Sequence, residues 1–494
     1  MKRLTFTGKV LALGLFTAQI IATIQVYLSN LELHRATKAI GDAGYLIVPN
    51  ENILPLLLEW KPAFFGGIFF TLSTGAGLTL LAIAAAWAWD RFFSRRRLAL
   101  IPFICIWITA LGAANYRGFL PLVTAYTVII PVLCFVATLR WMPERGQKTW
   151  FREILPVIPL ILLSAIWASQ MGSDLFLDIR DNILLSNPAG KKINEFYYDY
   201  TLYPAEVFKT ERLKLLKTCR LEGIDQKGNA RFLERKLIYN DYLPMREGDD
   251  VDLIIRKEGK NLFLEREGKV IMETTPADFS SRMPTLLKEF SSRSDKHHYF
   301  RKFTFFSILV GFPITLYILI YSLFRAVFSL FLSTGRASVG ASLICFAAGI
   351  ALLLPFQIGR GTTIDVENLA GAMGSDKWQV RVSALKVIRE KEIEIGDFPA
   401  YKGAIESPSI PERYWLATVL KESRDPETYR DLLIMLDDPH PNVRCKVLEA
   451  LGKRGRKDVV GTIIESIKTS DHWYFQWYAY RALRSLGWKQ QKSI

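Results

Sequence analysis

Adjacent imidazoles are the first candidates for chemistry in this 494-residue chain: His297 and His298, within the stretch SDKHHYFRK at 294–302. A zinc site needs three or four ligands converging on one point. Neighbours in a helix or strand diverge, and no third ligand stands at a useful spacing. The pair therefore reads as an interfacial anchor ahead of the apolar block that follows. The five cysteines include no Cys-x-x-Cys pair. Cys105, Cys134 and Cys345 lie in apolar blocks and read as packing thiols. Cys219 and Cys445 lie in polar regions, where a bridge is conceivable but free buried thiols are expected. Nucleophile-elbow, zinc-protease, P-loop and dinucleotide-binding signatures are all missing. No catalytic residue, metal ligand or cofactor is assigned, and the chain reads as a binding protein rather than an enzyme.

Two aromatic clusters remain. FYYDYTLYP spans Phe196–Pro204. It suits a ligand or glycan platform, or else a core or interfacial segment, because tyrosine joins an apolar face to a polar tip. HWYFQWYAY places Trp473, Tyr474, Phe475, Trp477, Tyr478 and Tyr480 around most of one helix. Some of these rings must cover a core. The others are expected at a surface for a partner protein or the bilayer. Trp473, Tyr474, Trp477 and Tyr478 are the candidate partner-binding residues.

The elements that must position these clusters are largely apolar. Half of the residues are hydrophobic, and a helix needs about 20 apolar residues to cross a bilayer. Val10–Leu28, Phe64–Trp89, Leu98–Ala114, Phe119–Leu139, Ile154–Ser169, Phe303–Phe324 and Ser338–Ile358 give seven blocks, the fifth short and carrying Pro156 and Pro159. The first reads as an uncleaved signal anchor, since VYLSNLELHR offers no small-residue cleavage site. Lys and Arg gather on cytoplasmic flanks. Arg95-Arg96-Arg97, the group Arg140, Arg145, Lys148 and Arg152, and the pair Arg325 and Arg336 fall on one side with Met1-Lys2-Arg3 if each block crosses once. That assigns the start of the chain to the cytoplasm of a bacterial inner membrane, and residues 29–61, 171–302 and 360–494 to the periplasmic side. The net charge of +15 is explained by such flanks, and no basic-aromatic motif supports nucleic-acid binding. Charged residues are nearly absent from the blocks, which argues against an ion-coupled pump. Gly66, Gly67, Thr71, Ser73, Thr74, Gly75 and Gly77 in the second block suit either close packing within the bundle or docking of a partner membrane protein.

Residues 171–302 read as a small α+β domain. Short helices turn at Asn187-Pro188 and Tyr203-Pro204, and a β-meander over Val251–Thr274 has its hairpins at KEGK and REGK. Beyond residue 370 a unit recurs. SDKWQVRVSALKVI (Ser375–Ile388), SPSIPERYWLATVL (Ser407–Leu420), DPHPNVRCKVLEAL (Asp438–Leu451) and DHWYFQWYAYRALRSLG (Asp471–Gly487) repeat every 31–35 residues, the range of helix-pair solenoids. Val380-Arg381 and Val443-Arg444 mark two copies, Glu412-Arg413 marks another, and Tyr478 aligns best with the Val position of the last. In the clearest copy Asp437 or Asp438 caps the helix and Pro439 and Pro441 suit the entry turn. Val443, Val447 and Leu451 make the buried stripe, and Gly452 ends the helix. Arg444 reads as structural, bonding Asp438 or the neighbouring repeat.

These copies, DDPHPNVR…ALG most specifically, resemble the HEAT-like repeats, in particular the short form also seen in phycobilisome-lyase-type proteins. The resemblance covers about a quarter of the chain. It implies a curved α-solenoid whose surface binds another protein. It does not imply lyase activity, because fold does not dictate function.

The expected fold is a mainly α membrane protein: a seven-helix transmembrane bundle, an inserted small α+β extramembrane domain and a C-terminal α-solenoid, divided as 1–170, 171–302, 303–360 and 361–494. The expected function is a polytopic membrane scaffold whose solenoid binds a partner protein, with the lipid bilayer as its other partner. Transport, or lipid and glycan handling with a regulatory solenoid, is the alternative, and an enzyme at the outer surface a third reading. A polar groove between the spans would favour transport. A bundle closed by small residues would favour scaffolding.

Overall fold

The computed structural model describes residues 5–143, 156–172, 175–224, 229–246, 248, 250–360 and 364–492, with backbone alone for 229 and 355–360. Lys2, Arg3, Arg145, Lys148 and Arg152, used above as flanking charges, lie outside this set.

Long apolar runs become helices because every backbone N–H and C=O then pairs within the segment. α1 (Phe6–Asp42) has 37 residues, about 56 Å at about 1.5 Å per residue, nearly twice the about 30 Å of a bilayer core. The expected first span is therefore only the lower part of a rod whose upper part carries Glu32, Arg35 and Lys38. α2 (Trp60–Phe93) runs back along α1. A Cβ on Gly75 would stand 2.4 Å from the Cβ of Ala18, and one on Gly67 would stand 3.1 Å from the backbone nitrogen of Thr23. Of the two uses open to this row of small residues, packing within the chain is the one seen. α3 (Arg97–Asn115) and α4 (Pro121–Trp141) form the expected tight pair, where Asn115 Oδ1 accepts from the Leu120 backbone N–H at 2.8 Å. α3 buries none of its apolar stretch and rides on the outside. α5 (Val157–Ser169) has 13 residues, short of the about 20 that a span needs.

The insertion opens with α6 (Pro188–Tyr200) and α7 (Leu202–Phe208). Asn187 caps α6 by accepting from Gly190 N–H at 2.8 Å, and Pro188 fills the first helical turn. Then β1 (Lys217–Glu222), α8 (Asn229–Tyr239) and β2 (Tyr242–Pro244) make a parallel unit with a crossover helix. β3 (Leu253–Glu258), β4 (Asn261–Arg266) and β5 (Lys269–Thr274) are the predicted meander. All five join one mixed sheet in the order β2-β1-β3-β4-β5. Gly259 and Gly268 take the hairpin turns at φ of 58° and 71°, a left-handed backbone that costs glycine no Cβ clash. β1 and β2 were not expected from the sequence. β2 has three residues, and β1 pairs in parallel with β2 and β3 across intervening segments, so no hairpin signal marks them. α9 (Pro276–Arg293) covers the sheet with Phe279, Met283 and Phe290 against Leu253, Ile255 and Leu264. Ile40 at the upper end of α1 and Tyr45 just beyond it grip this domain, packed with Leu243, Met245 and Val251.

α10 (His298–Phe328) and α11 (Thr334–Arg360) bring to six the helices long and apolar enough to cross a membrane among the described residues. Both α2 and α10 widen into a π-turn where they meet, at Thr71–Gly75 and Ser307–Gly311. There Thr74 and Thr304 share a hydroxyl hydrogen bond of 2.9 Å, and a Cβ on Gly77 would stand 2.2 Å from Ser307 Oγ. The short α5 lies antiparallel along α10: the Trp167 indole donates to Leu309 O at 2.9 Å, and the Tyr317 hydroxyl donates to Pro156 O at 2.7 Å. Thr5 and Ser322 share a hydroxyl hydrogen bond of 2.5 Å, so α1 starts beside the end of α10. Gly14 lies under Thr79 and Cys134; Phe300 meets both Phe70 and Tyr126, while Trp89 stacks on Phe135, which sets α4 parallel to α2. The ends bearing Arg95, Arg140 and Arg325 thus share one end of the bundle with the start of α1. The 43–59 loop, the insertion and the C-terminal repeats collect at the other.

Those repeats are α12 (Trp378–Glu390), α13 (Ile410–Leu420), α14 (Pro426–Met435), α15 (Pro441–Arg454), α16 (Val460–Thr469) and α17 (Trp473–Ser485). α12, α13, α15 and α17 stack as one layer; α14, α16 and the turn Pro399–Ala404 back it. Arg381, Arg413 and Gln476 each donate to the carbonyl six residues earlier, on Ser375, Ser407 and Ser470. With Arg444 between them, positions 381, 413, 444 and 476 set a period of 31–32 residues. Phe475, not Tyr478, therefore stands at the Val position of the last copy; aromatic crowding hides that register in the sequence. His440, not Asp437 or Asp438, caps α15, its Nδ1 accepting from Asn442 N–H at 3.4 Å. The helix ends at Arg454, with Gly455 left-handed at φ 73°. Gly452 lies inside it, where a Cβ would stand 3.0 Å from the Cα of Ala482. The two layers meet across Val443, Val447, Leu448 and Leu451, all fully buried.

Candidate binding face

A solenoid of stacked helix pairs offers its partner one long face. Here much of the layer formed by α12, α13, α15 and α17 is already covered, and the chain itself covers it. The first strip is the turn at 175–184. Asp181 Oδ2 accepts the Trp415 indole N–H at 2.8 Å, and Asp178 lies 3.5 Å from Lys386 Nζ. Arg180, paired with Asp181 at 2.6 Å, stacks over the Tyr414 ring at 3.6 Å. This pair is buried, which is tolerable because each partner keeps further polar or aromatic contacts.

The second strip is α6 and α7. Asn194 and Asn442 face each other, with Asn194 Nδ2 donating to Asn442 Oδ1 at 2.9 Å, and Asn442 Nδ2 donates to the Tyr198 hydroxyl at 2.9 Å. The Tyr198 ring packs on Tyr474 at 4.6 Å, and Tyr203 meets Trp473 edge-on at 5.0 Å. Phe196 and Tyr200 turn the other way, onto Phe65 of α2, at 5.5 and 5.0 Å. The two aromatic clusters that read as separate sites in the sequence are thus each other's partners, wedged between the long apolar helices and the last repeat.

The third strip is the loop joining α1 to α2. Asn50 is 4% exposed. Its Nδ2 donates to the carbonyls of Ile467, Lys468 and Ser470, each at 2.9 Å, and its backbone N–H donates to Gln476 Oε1 at 2.9 Å. The orphan carbonyls at the end of α16 are satisfied in this way, from outside the repeat. Gln490 bonds both backbone groups of Leu46 at 3.1 and 2.8 Å.

The four candidate partner-binding residues are therefore not a free surface. Trp473 is buried, and Tyr474, Trp477 and Tyr478 are half-buried. Tyr478 packs against Tyr474 at 5.4 Å, and Arg481 stacks over Trp477 at 4.5 Å. The repeat positions carry a ladder. Arg381 grips Glu412 of the next repeat, its second N–H group donating at 2.7 Å, and Arg413 grips Asp438 at 2.6 Å. Arg444 ends it: instead of bonding Asp438, it donates to Leu436 O at 3.3 Å and lies 4.0 Å over Phe475. Val380 is half-buried and Pro439 exposed. Sequence reasoning missed Asn50, Asp181, Asn442 and Gln476. A lone amide or carboxylate in an ordinary stretch carries no motif, and only the contact reveals it.

Charge and titration follow burial. Desolvation, with Arg413, Lys191 and Arg180 behind it, holds His440 down to about 4 against the pull of Asp438. His472, whose Nδ1 caps α17 by accepting from Phe475 N–H at 3.3 Å, is lowered mainly by burial as well. His297 and His298 stand at the start of α10, with His298 3.9 Å from Asp295. Among the described residues no three His, Cys, Asp or Glu groups gather as a metal site. All five cysteines are free, Cys105 exposed and the others buried.

Residues 399–491 match the HEAT repeats family. The carbonyl bonds described above carry the same unit back to Ser375, ahead of the matched residues. No curated protein and no solved structure matches the chain.

Proposed function

We propose that the chain is a polytopic membrane scaffold, organised as 1–170, 171–302, 303–360 and 361–494, in which the HEAT-type solenoid is latched to the membrane part and holds a partner protein in place. The observation that carries this reading is the triple seam of 45–53, 178–181 and 194–203 on the repeats. A solenoid tied this way cannot swing freely, so whatever it binds keeps a defined position over the bilayer. The closed contacts at Gly14, Gly75 and Gly77 favour a packed bundle over a transport path.

Seven crossings fit this reading. α5 is short, but it lies along the middle of α10, from Leu309 to Tyr317, and hydrophobic segments shorter than the bilayer are accommodated by local thinning. With the basic ends cytoplasmic, the insertion and the solenoid are periplasmic. A topology reporter fused after Ile494 should read non-cytoplasmic; a cytoplasmic signal sinks that assignment. The scaffold itself is tested by photo-crosslinking from Ile434 on α14, 64% exposed, and from Glu422 beyond α13 in native membranes. Discrete adducts with one protein are expected, and adducts from neither position refute it.

A further inference from the structure

The chain's own strips leave part of the layer of α12, α13 and α15 open. Next to Leu177, a cavity of about 160 Å3 remains between α12, α13 and α15. Small-molecule sites run to about 300–1,000 Å3, so this volume suits one side chain rather than a cofactor. Tyr414 and Trp415 line it, and Arg389, Lys421 and Lys446 stand around it. Lys421 and Lys446 share the carboxylate of Glu449, both at 2.9 Å, and Lys421 also reaches Glu422 at 3.7 Å. Arg389 lies over Trp415 at 5.5 Å and has no side-chain hydrogen bond or ion pair among the described residues. Against these three cations stand Glu422 and Glu449, leaving one positive charge in excess. That balance suits a carboxylate better than a doubly charged phosphate.

The neighbouring subsite shows what this face accepts. Immediately beside the cavity it takes two carboxylates from the chain itself, Asp181 on the Trp415 indole and Asp178 near Lys386. The segment that supplies them also supplies Leu177, one wall of the cavity. The geometry points to a docking groove for an acidic segment of the partner protein, which lies along α12, α13 and α15 and sets a Glu or Asp side chain between Arg389, Lys421 and Lys446. This rests on the scaffold reading and names the chemistry of its partner. A guanidinium without an anion is the preferred donor for such a group, because its planar fork matches a carboxylate.

The test uses the full chain in detergent and fluorescence anisotropy of a labelled peptide, Leu-Glu-Leu-Asp-Ile-Glu. Its amide twin, Leu-Gln-Leu-Asn-Ile-Gln, and its lysine twin, Leu-Lys-Leu-Lys-Ile-Lys, are the controls. The acidic peptide should bind saturably, and the amide twin should bind at least about tenfold more weakly, because its neutral side chains lose the charge-assisted hydrogen bonds to the three cations. Arg389→Glu changes an exposed side chain, so folding is spared. It should weaken the acidic peptide and strengthen the lysine twin. Equal binding of the acidic and amide peptides overturns the proposal, as does an Arg389→Glu variant with unchanged preferences. Displacement by free glutarate at the peptide's own concentration also overturns it, in favour of a small-molecule site. If the peptides fail while the crosslinks from Ile434 form, the scaffold stands and this groove falls.

Discussion

Replacing Asn50 tests the seam between the α1–α2 loop and the last repeat. The side chain is 4% exposed, and its two N–H groups serve three carbonyls at 2.9 Å. A buried hydrogen bond contributes about 1 kcal/mol net, and a buried group left unpaired costs about 1–3 kcal/mol. Asn50→Ala removes both donors, so the seam should lose about 2–4 kcal/mol, or about 30- to 1,000-fold in local opening. Asn50→Asp is the sharper variant. Its carboxylate keeps the oxygen that accepts from Asn52 and Ile53 N–H at 3.1 and 3.2 Å, which favours the local turn. It also sets a negative charge against three carbonyl oxygens, so its cost should at least equal that of alanine. The readout is hydrogen exchange of amides in 460–490 in the full chain, because a chain of several packed parts has no single two-state unfolding energy. If Asn50→Asp protects these amides as well as the unaltered chain does, Asn50 serves only its own turn and the seam is held by something else.

Other expectations follow from the same contacts. Arg413 and Asp438 are 8% exposed each, so Arg413→Ala should cost about 3–5 kcal/mol by stranding the acid, while joint replacement by Met and Leu should cost far less; equal melting shifts, read by tryptophan fluorescence, would contradict a paired ladder. Gly77→Ala should push α2 from α10 and lower the yield of a disulfide between cysteines placed at Thr74 and Thr304, and adding Ser307→Gly should restore it. The His440 and His472 caps need an unprotonated Nδ1, and both side chains titrate below their usual value. Stability from a depressed histidine is intact above the unfolded value of about 6.5 and is lost as the pH falls from there, here toward about 4 for His440. Exchange in the first turns of α15 and α17 should therefore accelerate over that window, and a His440→Ser, His472→Ser chain should show a flatter profile; an identical profile would count against the caps.

What the sequence determined on its own is local. Six long apolar helices, the KEGK and REGK hairpins and the repeated unit from Ser375 onward are all legible, because each rests on a period or on a turn within a few residues. Register is where local reasoning stopped: the last repeat is fixed by a Gln476 bond to Ser470, not by the Val-Arg pattern that marks the clearer copies. Only the tertiary structure decided what the aromatic clusters do. Phe196–Pro204 and Trp473–Tyr480 lie more than 250 residues apart in sequence, and each has the composition of a binding surface. Whether a ring meets a partner, a lipid or its own chain depends on which surfaces the α1 rod and the α1–α2 loop bring together. Apolar attraction is non-directional, so composition announces that these rings will be covered and leaves the choice of cover to the fold.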